Sequence, residues 1–208
     1  PFEVRSFSDY QQKLRETFVI IDNEERKDMI IKQINNLTNG REIKIQNDSA
    51  LLDEVCGLVE WPNSLIGNIP SEFMKVPAEA LICAMRSHQK YFAIRDNNGD
   101  LAPNFITISN MPSNTKRDQT IIMGNEKVLN SRLSDAKFFW DQDRTSVLET
   151  RIPALNKVRF YDKLGSLGEK IIRVEQLGNY ISKWIPGVDK KLFKRAVKLA
   201  KADLTTSM

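Results

Sequence analysis

The side chains able to do chemistry in this 208-residue chain are few and scattered. His88 is its one histidine, and Cys56 and Cys83 are its two cysteines. An imidazole titrates near neutral pH and suits acid–base work, but no activated nucleophile is visible for His88 to serve. Its place between an expected helix end and an expected strand suits a structural hydrogen bond or a helix-end charge contact better. Cys56, Cys83 and His88 lack the paired spacing of zinc ligands, so no metal site is expected. The segment LGSLGEK, Leu164 to Lys170, holds a G-x-x-G step with basic neighbours. KH domains clamp an RNA backbone with such a loop, yet that fold needs three strands and residues 145–208 read as helical. The step is also too short for a Walker loop. A junction between helices is the expected role.

Charge carries more. The net charge of +4 divides unevenly along the chain. Residues 151–208 carry 13 Lys or Arg against 5 Asp or Glu, whereas residues 1–150 carry 18 against 22. A basic end on an acidic body suggests a polyanionic partner, RNA first among them. The sharpest element is an amphipathic helix over 189–204, which Asp189 can cap. Leu192, Phe193, Ala196, Val197 and Ala200 form its apolar stripe, and Lys190, Lys191, Lys194, Arg195, Lys198 and Lys201 its polar one. Lysines at a backbone act as sequence-blind charges and make binding salt-sensitive; a merely solvated outer face is the equal alternative. A second basic set, Lys127, Arg132 and Lys137, lies on the segment that begins GNEKVL. Arginine can grip a phosphate with two donors. Pairing of Arg132 with Asp135 or Glu126, which would brace the helix against a sheet, is the favoured role there. The RNA-binding candidates are thus Lys190, Lys191, Lys194, Arg195, Lys198, Lys201, Arg132 and Lys137.

The elements that must hold these residues are legible in part. Residues 8–37 read as helical from Ser8, although the β-rich FVIID at 18–22 can interrupt them with a strand. Gly40 suits the helix stop. Leu51 to Val59 fits a helix or a buried strand equally, and Trp61-Pro62 breaks it. Pro77 opens a helix that runs to about His88. KYFAIR (90–95) and NFITIS (104–109) alternate around DNNGD and predict a hairpin. Phe92, Ile94, Ile106 and Ile108 share one face of it; Tyr91, Arg95, Thr107 and Ser109 share the other. Pro103 suits an edge strand. A helix is expected from about Gln119 to Phe139, with Ile122, Leu129, Leu133, Ala136 and Trp140 on one stripe. Further helices are expected near 146–157, 168–184 and 189–204. The fold class is α+β: a mainly antiparallel sheet packed by helices over 1–148, then a helical part over 149–208.

Composition adds bounds. A hydrophobic fraction of 41% and a charged fraction of 28% are ordinary for a globular chain. No apolar run approaches the roughly 20 residues of a membrane helix. The start lacks a signal-peptide pattern. Two cysteines suggest no disulfide scaffold but buried thiols in the reducing cytoplasm.

Several uncommon words occur in a fixed order. They are LLDEVCGLVEWP at 51–62, VPAEALICAMRSHQKYF at 76–92, FITISN at 105–110 and GNEKVLNSRLSDAKFFWDQD at 124–143, continued by KLGSLGEKIIR at 163–173 and KLAKADL at 198–204. Together they resemble the beta subunit of the bacterial two-subunit glycyl-tRNA synthetase, over the whole chain. The resemblance implies an internal piece of a longer subunit, with residues 149–208 as the start of a helical HD-like domain. HD proteins bind metal through several His and Asp residues, whereas here Asp203 stands with one distant histidine. The resemblance further implies a heterotetramer whose alpha subunit binds ATP and Mg and carries the catalytic site. The beta subunit is implied to bind tRNA(Gly) and support assembly, with no catalytic residue, metal, cofactor or membrane contact of its own here. A purely structural subunit interface without RNA contact is the alternative.

Overall fold

The protein is described here by a computed structural model covering residues 2–208. The chain packs as two compact units, one up to Lys137 and one from Phe138 to Met208.

In the first unit, α1 (Phe7–Glu16) is capped by Ser6, whose side chain accepts from Asp9 N. The FVIID segment does interrupt the helical run, but as an extended turn rather than a strand. Phe18 takes a left-handed φ of 62° and sets its ring edge-on to Trp61, 5.1 Å between centroids. Asp22 then caps α2 (Asn23–Thr38), which buries Ile30 and Ile34 and stops at Gly40 with φ 73°. The ambiguous 51–59 stretch is helical: α3 (Ser49–Leu58) starts where Asp48 accepts from Leu51 N at 2.9 Å. Asp48 also receives Arg86 of α4 (Ala78–Gln89) at 2.5 Å, and that guanidinium holds its carboxyl below the usual range. One side chain thereby caps one helix and ties down another. Cys56 is buried and donates to Asn23 O, whereas Cys83, expected to be buried too, is exposed.

The sheet is antiparallel, ordered β1-β3-β4-β2, from β1 (Ile43–Ile45), β2 (Pro62–Asn68), β3 (Phe92–Asp96) and β4 (Leu101–Asn110). The expected hairpin is its centre, and Asp96 Oδ1 accepts from Asn98 N and Asp100 N to shape the turn. Phe92, Ile94 and Ile106 join Ile30, Ile34, Leu51 and Val55 in one core cluster, with Ile108 packed against it. Each such side chain, fully buried, contributes about 1.5–3 kcal/mol. Pro103 does not lie on an edge strand. It sits inside β4, between β3 and β2, where the register shifts between Ala93 and Arg95. A bulge removes the ladder bond that proline cannot make.

On the opposite face Tyr91 stacks on Phe105 at 4.6 Å, and Phe105 pairs with Gly67 across the strands. A Cβ at Gly67 would lie 2.5 Å from the Phe105 ring tip, so only glycine fits. The long helix α5 (Thr115–Asp143) is fixed to this part of the unit by three polar ties. Asn63 Nδ2 donates to the buried Asp118 at 3.0 Å, Asn68 N to Glu126 at 2.8 Å, and Tyr91 Oη to Asn125 Oδ1 at 2.5 Å. Burial pushes the Tyr91 phenol up to about 12. Leu129 and Leu133 are the apolar residues that α5 buries.

The second unit departs further from the expected run of helices. Residues 148–157 form 3-10 turns rather than an α-helix, with Pro153 inside. Proline lacks the donor that an α-helical turn requires there. A small antiparallel hairpin follows, β5 (Arg159–Tyr161) and β6 (Gly165–Ser166), where only helix was expected. Ser166 and Glu169 then build a capping box on α6 (Leu167–Ile181). Leu155, Leu167, Ile171 and Ala202 form the core of this unit, with Ile152, Val158 and Val197 against it.

Candidate nucleic-acid interface

The basic helix exists, slightly shorter than expected. α7 (Lys190–Leu199) begins where Asp189 Oδ1 accepts from Lys191 N at 2.8 Å and Leu192 N at 3.1 Å. At 100° per residue, Lys190, Lys191, Lys194, Arg195 and Lys198 fall within one arc, and Leu192, Phe193, Ala196, Val197 and Leu199 within the other. Val197 anchors the apolar side on the unit's core. The Phe193 ring lies against α6, so close to Gly178 that a Cβ there would stand 2.2 Å from it. Glycine at 178 therefore sets how near α7 comes to α6, and hence how the cationic arc is presented.

The six cations of this region do not behave alike. Arg195 is drawn to Glu149 at 2.6 Å, and this hydrogen bond holds the Glu149 carboxyl below its usual range. Lys194 stands 3.8 Å from Glu175. Lys190, Lys191, Lys198 and Lys201 are exposed and, among the described residues, have no carboxylate within ion-pair distance. Lys201 lies just past the helix, ahead of the 3-10 turn Ala202–Thr205. From Lys191 to Lys198 is two helical turns, about 10 Å along the axis. Lys190 and Lys191 stand at one end of that span and Lys198 at the other, with Lys201 three residues beyond it, so the four ammonium groups form a row rather than a cluster.

Arg132 and Lys137 belong to α5 and are a separate set. Arg132 is exposed and, among the described residues, pairs with neither Asp135 nor Glu126; Glu126 instead serves Asn68. The bracing expected of Arg132 is done by Asp118, Asn125 and Glu126. Lys137 is half-buried and engaged within the protein. His88 is exposed in the last turn of α4.

Among the described residues, no three His, Cys, Asp or Glu side chains converge as metal ligands. No helix among them is long and apolar enough to cross a membrane.

A family model described as glycyl-tRNA synthetase beta subunit matches residues 1–208. The chain belongs to that family. It is 45% identical to a glycine–tRNA ligase beta subunit of Rhodospirillum centenum, over 99% of this chain and 29% of the relative. The corresponding protein of Trichlorobacter lovleyi is 42% identical over 100% of the chain and 30% of its own length. That of Streptococcus agalactiae is 38% identical over 99% and 30%. The chain spans about three tenths of the length of the relatives it matches. The hairpin ahead of α6 and the Glu149 and Glu175 partners were not foreseen from the sequence. The clearest available signal was Gly165 so close to Lys163, a turn pair rather than a helix start.

Proposed function

We propose that this chain is the part of a glycine–tRNA ligase beta subunit that binds tRNA(Gly) and supports subunit assembly for ATP-dependent formation of glycyl-tRNA. The partner alpha subunit holds the catalytic site with its ATP and Mg, in the cytoplasm. Residues 149–208 belong to a helical HD-like region of the subunit. What this chain's residues contribute to the reaction is hold on the substrate RNA, and the carrying observation is the row of four unpaired lysines on and just after α7. Such a row neutralises phosphates without reading bases, so it supplies affinity and register while specificity lies in other contacts.

A structural reading has its own support. Trp184 is 75% exposed and Leu192 64%, in the same unit as the lysines. Apolar surface of this kind suits association with a protein partner. Salt separates the two. With four lysines on phosphates, the affinity for tRNA(Gly) should fall about a hundredfold between about 50 and about 200 mM salt. Association through the apolar residues should change little. Absence of tRNA binding at the lower salt would leave only the assembly role.

A further inference from the structure

The β5–β6 hairpin borders an open cleft of about 970 Å³ that the basic helix does not account for. Its walls come from one stretch of chain folded on itself: Asn156 and Lys157 at the end of the 3-10 turns, Arg159 and Tyr161 to Gly165 of the hairpin, and Ser166, Glu169 and Arg173 at the start of α6. Its two carboxylates are already committed. Asp162 pairs with Arg159, and Glu169 accepts from Ser166 N at 2.7 Å within the capping box. Lys157, Lys163 and Arg173 have, among the described residues, no carboxylate at ion-pair distance. Arg173 donates to Leu164 O at 2.9 Å, and, after the Ser166 backbone hydrogen bond, its charge also helps hold the Glu169 carboxyl below its usual range. Tyr161 brings an aromatic ring into the same lining and is 67% exposed. The neighbouring Phe160 has one face occupied by Lys170 Nζ, 3.9 Å from its centroid.

An exposed ring among unpaired cations is what an unpaired nucleotide requires: a flat face for the base and positive charge for the backbone. We propose that this cleft takes one unpaired nucleotide of an RNA, its base on Tyr161 and its phosphate on Lys163 and Arg173. The proposal rests on the RNA-binding reading given above and adds to it a second site of a different kind. It is not a glycine-loop clamp. A Cβ at Gly165 would lie 1.9 Å from Glu169 Oε2, and one at Gly168 1.9 Å from Asn156 Oδ1, so both glycines serve internal packing. Lys163 is the tip residue and takes φ 63°, a conformation that Asn or Gly adopts more easily.

The test is anisotropy of a labelled single-stranded oligoribonucleotide of about eight nucleotides, and of a blunt RNA duplex, with the whole chain. Tyr161→Ala should weaken single-strand binding about tenfold and leave the duplex unaffected, while Tyr161→Phe stays within about twofold of the parent. Lys163→Asn keeps the turn and should flatten the salt slope by about 0.7. The proposal is overturned if Tyr161→Ala binds the single strand as the parent does, or if Tyr161→Phe is as weak as Tyr161→Ala. It is also overturned if Lys163→Asn leaves the slope unchanged. Loss of tRNA binding on removing the α7 lysines, with the Tyr161 variants unaffected, would sink the cleft and spare the broader reading. A parent chain that binds neither RNA at low salt would sink both.

Discussion

Phe105→Ala is expected to destabilise the first unit by about 3–5 kcal/mol, the usual cost of emptying a large buried aromatic position. Phe105 is fully buried, stacks on Tyr91 at 4.6 Å and lies over Gly67 of the neighbouring edge strand. The ring fills the space that a glycine leaves in a strand. Gly67→Ala should therefore cost about 1–3 kcal/mol by overpacking, because the ring tip is held by Tyr91 and cannot swing away. The informative result is the pair. In the Phe105→Ala background the new methyl enters vacated space, so Gly67→Ala should cost little or be stabilising, a coupling of about 1–3 kcal/mol. Hydrogen exchange of the β4 amides reads this unit separately from the other. Additive costs in the double variant would mean that the ring does not occupy the space above Gly67.

Replacing Lys190, Lys191, Lys198 and Lys201 by alanine is expected to cut affinity for tRNA(Gly) by more than about tenfold at low salt. The dependence of log K on log salt should flatten by about 0.9 for each lysine that met a phosphate. The four side chains are exposed and unpaired among the described residues, and alanine is a good helix former, so stability should move by no more than about 0.5 kcal/mol. Lys194 and Arg195 form the control. Both already face carboxylates, Glu175 and Glu149, so their charge is partly cancelled before any RNA arrives. Lys194→Ala should change binding less than any one of the four. An unaltered salt slope in the four-lysine variant would assign this arc to solvent.

The parts of the fold legible in the sequence are those whose pattern is local. The β3–β4 hairpin announced itself by period-two alternation around a turn rich in Asn and Gly. The stop at Gly40 and the cap at Asp189 follow from backbone chemistry at single residues. β2 was not legible because Pro62 to Gly67 is buried on both faces, so it shows no alternation, and it carries a proline and a glycine. Pro62 is tolerated as the first residue of an edge strand, a place that only the strand order reveals. Pro103 misled for the converse reason: a bulge in an inner strand frees it from the ladder. Pro153 could have warned against a regular helix over 146–157. The polar tie between Asn63 and Asp118 joins residues 55 apart, which no local pattern encodes.

The candidate interface was half legible. Periodicity separated the cationic arc of α7 from its apolar side. It could not tell which cations were free, since Glu149 and Glu175 reach them from other elements. Nor could it find the hairpin cleft, because the β5–β6 pairing that folds residues 156–173 around it was not read from the sequence.

The most direct measurement on the basic track is lysine acetylation of the chain, mapped by mass spectrometry with and without tRNA(Gly) at low salt. Protection of Lys190, Lys191, Lys198 and Lys201 is expected, with Lys44, exposed on β1, reacting equally in both samples. Bound tRNA that leaves all four lysines as reactive as Lys44 would contradict the assignment of α7 as the RNA-binding face.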